Sequence, residues 1–364
     1  MAKFQAGGPT GGVLPRSWLA VAAALGACHA EPPHPAMHAP VVVRAAVEHP
    51  APVEVLTCVD LPRDDPRSHD LSGLAWDPAE HLLYAISDRE PWIVVLAPRP
   101  DLSAYELREP IALNLPVERW DGEAIAVAGD RFLLVADETE PAVFSVDREG
   151  HGEVRLALPS FTGIRHNRGL EGLGYTASAS GRYVLAVNEQ ALDSDGPTSS
   201  VERGTVVRLL RHPLDGGPDL EVAYLTDPVF AAGDRGDNGV SDIAPLSPDR
   251  VLVLERAWVQ GNGNSVRLYE VDLRTAKDML GLPDARAAVP IAKRLVADIA
   301  LLADERCPPP SQWQRRRTLE NYEGMALGPM LPDGRRVLFL ISDDNTHATQ
   351  DARVLALAIT AASP

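Results

Sequence analysis

The sequence EGLGYTASASGRYVLAVNE occupies residues 171–189 and contains a pattern that recurs along the chain. It begins with an acidic residue, followed by a small, an aliphatic and a second small residue. A short turn around Ser180-Gly181 then leads into a β-type apolar run, 183–189, which ends in an acid. Short apolar runs bounded by turn residues predict strands. The segment therefore predicts a β-hairpin.

The pattern occurs five times. Its first four positions, an acidic or hydroxyl residue followed by small, aliphatic and small residues, are found at Ser72–Ala75, Glu123–Ala126, Glu171–Gly174, Ser241–Ala244 and Glu323–Ala326. Two further strand-like stretches follow the hairpin in each of the first four units. Four antiparallel strands per repeating unit are typical of β-propeller blades. We therefore predict an all-β fold with one blade per copy.

The two chain ends complete the blade count. The fifth unit has only one further strand, 352–360, and the missing strand is available at 53–61. We predict a β-propeller of five four-stranded blades, closed by this N-terminal strand, although the longer third and fourth units leave room for a sixth blade. Residues 291–302 fit either a strand or a helix. A β-sandwich is the alternative architecture, but it does not explain the repeat.

The charge of the chain limits its partners. The 364 residues include 34 Lys and Arg against 51 Asp and Glu, a formal net charge of −17. Nucleic-acid binding requires a clustered basic surface, so this composition predicts no nucleic-acid partner. It favours cation binding instead. The 28 Gly and 32 Pro indicate many turns, as short strands require.

The N-terminal 52 residues predict export. Lys3 and Arg16 precede or flank an uncharged apolar run, 18–27, that is too short to span a bilayer. Leu25-Gly26-Ala27-Cys28 resembles a bacterial lipobox, so residues 1–28 are predicted as a signal peptide with lipidation at Cys28. An ordinary signal peptide with a chance cysteine is the alternative. The Pro-rich residues 29–52 predict a tether, and residues 53–364 the propeller. The protein is thus expected at the bacterial cell envelope, facing the periplasm or the cell surface, with membrane contact only through its lipid.

Two further cysteines, Cys58 and Cys307, remain in the mature chain. An exported protein with an even pair permits a disulfide. The N-terminal strand would place Cys58 in the blade that Cys307 leads into. The bridge is therefore compatible with the predicted fold, but the sequence does not require it.

The recurrent acids are expected around one mouth of the propeller channel. In a blade, the start of the inner strand lies beside the end of the second strand. This predicts the neighbours Glu123 with Glu138, Glu171 with Glu189, Asp242 with Glu255, Glu323 with Asp343 and Asp344, and Asp70 or Ser72 with Asp88. Clustered carboxylates repel one another, and a Ca²⁺ ion takes 6–8 oxygen ligands. The predicted metal ligands are Asp88, Glu123, Glu138, Glu189, Asp242, Glu255, Asp343 and Asp344.

Two groups of arginines are also expected near this mouth. Arg89, Arg168 and Arg256 lie within three residues of the repeat acids, so a structural network of salt bridges is the alternative to a metal site. Residues 311–320 contain the densest positive run, Arg315–Arg317, and are expected near the same mouth. That run would pair with the acids or bind an anionic substrate.

Four phrases resemble a known bacterial family, "esterase-like activity of phytase", also called phytase-like. They are His69–Leu74, Asp121–Ala124, Arg168–Leu173 and Asn321–Met325. The resemblance extends over about residues 53–360 and implies a β-propeller, export, and hydrolysis of phosphoesters or other esters. The mature chain has two lysines only, Lys277 and Lys293. Arginines would therefore replace the lysine-rich phosphate cradle expected of calcium-dependent propeller phytases.

The predicted chemistry is metal-assisted hydrolysis of a small anionic substrate. Ca²⁺ would polarise the ester, Glu171 or Glu323 would act as general base, and Arg168 and His166 would bind the anion. No nucleophile elbow, zinc motif or Walker loop is found. The phrases at Glu171 and Glu323 are also similar to gluconolactonase-type propellers, so a calcium-dependent lactonase is one alternative. A non-catalytic, lipid-tethered binding propeller is the other.

Overall fold

The computed structural model describes residues 53–360, apart from 139–141, 157, 159–160, 162 and 167. The predicted signal peptide, its lipidation residue Cys28 and the tether lie outside the described residues. No α-helix is present in the part of the chain that is described, only short 3₁₀ turns. No helix of this part is long and apolar enough to cross a membrane.

The strands form five antiparallel sheets. The first strand, β1 (Glu54–Asp60), belongs to the last blade. Blade one contains β2 (Leu71–Asp77), β3 (Leu82–Ser87), β4 (Trp92–Pro98), β5 (Tyr105–Leu107) and the short β6 (Ile111–Ala112). Blade two contains β7 (Gly122–Ala128), β8 (Phe132–Asp137), β9 (Ala142–Asp147) and β10 (Gly152–Leu156). Blade three contains β11 (Leu170–Ser178), β12 (Gly181–Asn188), β13 (Val206–Pro213) and β14 (Leu220–Leu225). Blade four contains β15 (Gly236–Ser247), β16 (Arg250–Val259), β17 (Gly263–Asp272) and β18 (Lys293–Asp298). Blade five contains β19 (Tyr322–Met330), β20 (Arg336–Ser342) and β21 (Arg353–Ile359).

The ring closes as the sequence predicts. Strand β1 pairs antiparallel with β21 and forms the outer strand of blade five, with Cys58 opposite Leu355. Cys58 is bonded to Cys307, with 4.7 Å between their Cα atoms. The fold is therefore a five-bladed β-propeller, and the described residues contain no sixth blade. The ambiguous segment 291–302 contains strand β18 and a 3₁₀ turn, Ile299–Leu301.

The hydrophobic core is divided among the interfaces between neighbouring blades. One cluster joins blades five and one, and includes Phe339, Leu83 and Val354, all fully buried. Four similar clusters join the other pairs of neighbouring blades. Each fully buried large aliphatic or aromatic side chain contributes about 1.5–3 kcal/mol. The apolar runs of the second and third strands supply most of these side chains, so the repeat itself encodes the blade contacts.

The small residues of the repeat allow the inner strands to approach closely. A Cβ on Gly73 would lie 2.6 Å from the Cα of Ala124 in the next blade, and one on Gly324 would lie 2.4 Å from the carbonyl oxygen of Ser72. Larger side chains would push the inner strands apart. Blade four has Asp242 at this position, and that exception affects the channel described below.

Candidate functional site

A β-bulge recurs in the inner strand of every blade. The pairing register between the first and second strands shifts at the first residue of each repeat, and in blade one the shift also includes the following glycine. The residues concerned are Ser72, Glu123, Glu171, Ser241 and Glu323. A bulge redirects the side chain of the extra residue. Burial raises the pKa of Glu171, and the carboxylates of Glu123 and Glu323 lie close enough to raise it further. The repeat thus directs three glutamates and two serines towards one mouth.

A second set of side chains joins this mouth from the end of each second strand. In four blades an acid follows the strand, and its N–H donates back to the residue that precedes the inner strand. These acids are Asp88, Glu138, Glu189 and Asp343. Oxygen atoms of Glu123 and Glu138 lie within 4.8 Å of each other. The predicted neighbours Glu123 with Glu138, Glu171 with Glu189, and Glu323 with Asp343 are therefore brought together.

Blade four departs from the predicted arrangement. Strand β16 continues to Val259, and Arg256, opposite Gly239, occupies the position that an acid holds in the other blades. Glu255 lies one residue earlier, and a one-residue slip along a strand moves a side chain to the opposite face. It bonds to the Tyr224 hydroxyl at 2.6 Å and to Lys293 at 2.6 Å, on the side of the sheet away from the acids. The predicted pair of Asp242 and Glu255 is therefore wrong.

Asp242 lies inside the channel as a bridge between blades. Its carboxylate accepts from the backbone N–H of Met325 in blade five at 2.6 Å and from that of Ile243 at 2.7 Å. Burial raises its pKa well above the ordinary value, while these N–H groups and that of Leu173 oppose the rise. No neighbouring acid contributes to that shift. In this structure Asp242 therefore has a structural role, linking the inner strands of blades four and five, and is not a member of the acidic ring.

Two arginines neutralise one side of the ring. Arg256 Nη2 lies 3.0 Å from Glu323 Oε1 and 3.7 Å from Glu189 Oε1. Arg168 Nη1 lies 2.8 Å from Glu189 Oε2, and its Nη2 lies 2.5 Å from Asp237 Oδ2. Asn321 also donates to Glu323 at 2.8 Å. The glutamates of this side are therefore held by cations from the chain itself.

The other side of the ring has no such compensation. None of the ion pairs among the described residues includes Asp88, Glu123, Glu138, Glu171 or Asp343. Burial, together with the neighbouring carboxylates, raises the pKa of Asp88 to about 7 and that of Glu138 to about 7. The same causes hold the pKa values of Glu123, Glu171 and Asp343 well above their usual range. Asp88 also has a buried oxygen, Oδ1, without a hydrogen-bond partner.

Two groups of acids in this region have the spacing of cation ligands. Asp121, Glu123 and Glu138 form one, and Asp70, Asp343 and Asp344 form the other; within each, the ligand oxygens lie within 4.8 Å of one another. Two oxygens bound to the same Ca²⁺ at about 2.4 Å can be no farther apart than this.

The second group already has partners within the chain. Arg89 Nε lies 3.2 Å from Asp70 Oδ1, and His69 Nδ1 lies 2.6 Å from Asp344 Oδ2. Thr346 donates to Asp70 at 2.5 Å. Among the residues that the structure describes, no arginine or lysine pairs with Asp121, Glu123 or Glu138, so these carboxylates fit a hard divalent cation better.

His166 and Arg168 contact different parts of the ring. The exposed His166 lies close enough to Asp121 to lower the pKa of that carboxyl, against the larger effect of burial. Arg168 is turned to Glu189 and Asp237 instead. The two residues predicted to bind the anion therefore lie apart: His166 is near the uncompensated acids, and Arg168 is on the neutralised side.

A cavity of about 650 Å³ opens above the neutralised side, between blades three, four and five. Arg168, Arg256 and Glu323 form part of its wall, and Trp258 and Trp313 contribute aromatic surface. Of the other twelve lining residues, six carry side-chain amides: Asn264, Gln312, Gln314, Asn321, Asn345 and Gln350. Arg235, Asp237 and His347 also line the cavity. Volumes of about 300–1,000 Å³ are usual for small-molecule sites.

Residues 311–320 were predicted to lie near this mouth, with Arg315–Arg317 as the residues that pair with the acids or bind the substrate. Arg315 lies over the Phe230 ring, Arg316 pairs with Asp304, and Arg317 donates to the Cys307 carbonyl. Trp313 and its flanking glutamines line the cavity instead. The sequence feature that could have indicated this lining is Gln312-Trp313-Gln314, an aromatic residue between two glutamines. It does not belong to the repeated pattern.

A comparison with protein families identifies one family for this chain. The family model described as "Phytase-like: Esterase-like activity of phytase" matches residues 67–346. No curated protein matches the chain. Solved structures that align with it include three enzymes of low sequence identity.

The endo-arabinase from Bacteroides thetaiotaomicron is 9% identical, with 85% of this chain and 97% of that chain covered and a TM-score of 0.45. A GH43_1 enzyme from Xanthomonas citri is 13% identical, with 83% and 90% covered and a TM-score of 0.44. The periplasmic gluconolactonase from Pseudomonas aeruginosa is 14% identical, with 80% and 86% covered and a TM-score of 0.34. At these values the likeness carries no inference about activity.

Proposed function

The chain belongs to the phytase-like family, described as esterase-like activity of phytase. We propose that it is a calcium-dependent hydrolase of phosphoesters or other esters. The reaction is placed at the acidic channel mouth. The observation that carries the proposal is the group of Asp121, Glu123 and Glu138, buried or half-buried acids that have no arginine or lysine partner among the described residues. A cavity of ligand size opens on the other side of the same ring, with Arg168 and Glu323 in its wall.

The donor set supports a hard cation. Glu123 and Glu138 approach from the two strands of one hairpin, and Asp121 precedes the first. All three offer carboxylate oxygens, which Ca²⁺ prefers. The charges that raise their pKa values would be offset by such an ion. When bound, Ca²⁺ supplies Lewis-acid polarisation of the ester oxygen.

Glu171 is the better of the two candidates for general base. Its carboxylate takes no hydrogen bond or ion pair from the described residues, and its pKa is raised by burial and by Glu123 and Glu189. A carboxylate whose pKa is raised above the ordinary value is a stronger base for accepting a proton from water. Glu323, by contrast, is bonded to Arg256 and Asn321. We assign Glu171 to accept a proton from water, and Glu323 to hold Arg256 in place.

Arginines and His166 orient the anionic part of the substrate. Arg256 and Arg168 line the cavity, and Nε of Arg256 is buried without a partner. A planar guanidinium suits bidentate contact with phosphate or carboxylate oxygens. His166, near Asp121, can donate to the same substrate from the other side of the mouth.

The test uses the mature, disulfide-bonded protein. Hydrolysis of p-nitrophenyl phosphate, p-nitrophenyl acetate and an aldonolactone is measured in chelator and after addition of Ca²⁺, with Mg²⁺ as the comparison. We expect calcium-dependent turnover of at least one ester, and loss of that turnover in Glu171→Gln. Glu106→Gln, an exposed glutamate of blade one, is the matched control. Turnover that is indifferent to chelator, or unchanged in Glu171→Gln, contradicts the mechanism.

A non-catalytic binding propeller is the second candidate. The ion pairs of Glu189 and Glu323 with Arg168 and Arg256 favour it, because they show that part of the ring is a structural network. Calcium binding without turnover of any ester in the screen would select this candidate.

We also propose export and lipid anchoring through Cys28. Support comes from the Leu25–Cys28 pattern and from the Cys58–Cys307 disulfide, since disulfides persist in oxidising compartments. Metabolic labelling with a radioactive fatty acid tests the anchor. Label should enter the full-length chain and be absent from Cys28→Ala.

A further inference from the structure

The cavity above blades four and five has a composition unlike that of the acidic ring. Two tryptophans contribute to its wall: Trp313, whose residue is 61% exposed, and the half-buried Trp258. An exposed indole costs hydrophobic free energy unless something covers it. The surface is therefore suited to a ligand with a flat apolar face.

A chain of amides joins the loop to the channel. Gln314 Nε2 donates to Asn264 Oδ1 at 2.6 Å, and the backbone N–H of Asn264 donates to Gln314 Oε1 at 3.1 Å. Asn264 Nδ2 donates to Asn321 Oδ1 at 3.3 Å, and Asn321 Nδ2 donates to Glu323 Oε1 at 2.8 Å. These bonds fix the orientation of each amide. Each amide retains a donor or an acceptor for a ligand.

The charge of the cavity excludes a strongly anionic ligand as the best fit. The charges of Arg168 and Arg256 are balanced by Glu189, Asp237 and Glu323, so these arginines can donate to one anionic group but add no net positive charge. Arg235, exposed on the rim, has no ion pair among the described residues. Among the described residues that line the cavity, Arg235 is thus the one arginine without an ion pair, enough for a single phosphate or carboxylate. A molecule carrying many phosphates would meet acids and already paired arginines.

The aromatic surface is held in place by the fold. A Cβ on Gly263 would lie 2.5 Å from the carbonyl oxygen of Trp313 and 2.9 Å from Gln314 Oε1, so the turn between β16 and β17 packs directly on the loop. At the ends of the loop, the buried Arg353 donates to the Arg317 and Pro309 carbonyls. Because the loop is fixed before binding, less conformational entropy is lost on binding.

We propose that this cavity binds a sugar ring, with the apolar face of the ring against Trp313 and its hydroxyls on the chain of amides. A hydroxyl both donates and accepts, as the remaining amide groups require, whereas a phosphate only accepts. A single anionic group of the same molecule would pair with Arg235 on the rim, and an ester group would point past Glu323 towards the acids. The substrate class is thus a sugar ester or a sugar with one anionic group. This assignment of substrate rests on the proposed function, but sugar binding itself does not.

The experiment measures binding separately from turnover. Glucose, galactose, arabinose, glucose 6-phosphate, myo-inositol hexakisphosphate and inorganic phosphate are titrated into the mature protein, in chelator and in Ca²⁺, with saturation-transfer NMR and tryptophan fluorescence as readouts. We expect one or more of the sugars to bind and to quench the fluorescence. In Trp313→Ala and in Gln314→Ala the dissociation constant should rise at least tenfold. Met330→Ala, which removes a methionine of 60% exposure, is the matched control and should bind as the parent does.

The outcomes separate this inference from the hydrolase proposal. Sugar binding without turnover of any sugar ester supports the cavity assignment and counts against the hydrolase. Ester turnover with no sugar bound supports the hydrolase and overturns the cavity assignment. Sugar binding of equal strength in Trp313→Ala also overturns it, as does binding of phosphate or myo-inositol hexakisphosphate alone. Circular dichroism of each variant identifies one that fails to fold; Gly263→Ala, which displaces the same loop without removing a lining side chain, then provides the second test.

Discussion

Arg256 of blade four donates to Glu323 of blade five across 3.0 Å, from the position at which each of the other four blades carries an acid. The ring is therefore asymmetric. On one side the chain provides its own cations, and on the other the acids are left without them. This difference underlies the following predictions.

Removal of the Arg256 guanidinium should destabilise the protein. Arg256→Met leaves the buried Glu189 and the half-buried Glu323 beside each other with one cation fewer. Breaking a buried ion pair costs about 3–5 kcal/mol. The free energy of unfolding, measured with a denaturant in the presence of chelator, should fall by about this amount. Arg274→Gln, which removes an exposed pair with Asp272, should change it by less than about 1 kcal/mol. If the two substitutions lowered the free energy of unfolding equally, the Arg256 ion pair would contribute no more than an exposed pair.

Stability of the metal-free protein should decrease as the pH rises. The folded-state pKa values of Asp88 and Glu138 are raised to about 7, whereas the unfolded values are about 4. Their contribution is complete below about pH 4 and is lost as the pH rises through about 7. Melting temperatures in chelator should therefore decline between these values by at least about 2 °C. The double variant Asp88→Asn, Glu138→Gln should show a flatter profile; an unchanged slope would argue against these groups.

Added Ca²⁺ should stabilise the parent protein and not the Glu123→Gln variant. A ligand at 100 times its dissociation constant contributes about 2.7 kcal/mol. Replacing Glu123 removes one of the three acids whose oxygens lie within 4.8 Å. In chelator the variant should be at least as stable as the parent, since one buried carboxylate is gone. Thermal melting with Ca²⁺ and with Mg²⁺ checks this, with Glu106→Gln as control. If Glu123→Gln keeps the full calcium response, the metal site lies elsewhere.

Asp242 should behave differently from the ring acids. Asp242→Ala leaves the backbone N–H groups of Met325 and Ile243 without their acceptor. A buried donor left unsatisfied costs about 1–3 kcal/mol. We expect a loss of unfolding free energy of this size or more, whether or not Ca²⁺ is present. A variant of parental stability would mean that the bridge between the inner strands is dispensable.

The disulfide should stabilise the closure of the ring. Cys58 lies on β1, and Cys307 is 249 residues later in the chain. A cross-link over so long a segment typically contributes about 2–4 kcal/mol. The double variant Cys58→Ala, Cys307→Ala should lose about this amount, measured against the oxidised parent. Reducing agent should lower the stability of the parent and leave the double variant unaffected.

The architecture followed from local patterns. The five copies from Ser72 to Ala326 each specify a hairpin, because apolar runs and turn residues act over a few positions. The lack of a final strand after 352–360 predicted that 53–61 would close the ring, and β1 does so. The neighbours Glu123 with Glu138 and Glu171 with Glu189 followed from the geometry of a hairpin, which is also local.

Blade four shows where this reasoning failed. The last acid of its second strand, Glu255, is one residue away from the ring position, and the strand continues to Val259. Successive side chains of a strand point to opposite faces, so an error of one residue reverses the side chain. Glu255 therefore contacts Tyr224 and Lys293, and Arg256 enters the ring. The sequence contained both residues but not the register.

The sequence by itself determined the repeating hairpins, the five blades, the closure by the N-terminal strand and the acidic character of one mouth. Only the tertiary structure decided which acids are neutralised, and that Trp313 meets Gly263 and Gln314 meets Asn264 in a wall of the cavity. The physical reason is distance along the chain. Hairpins form from neighbouring residues, whereas the ion pair of Arg256 with Glu323 and the contact of Gly263 with Trp313 join segments that only the closed ring brings together.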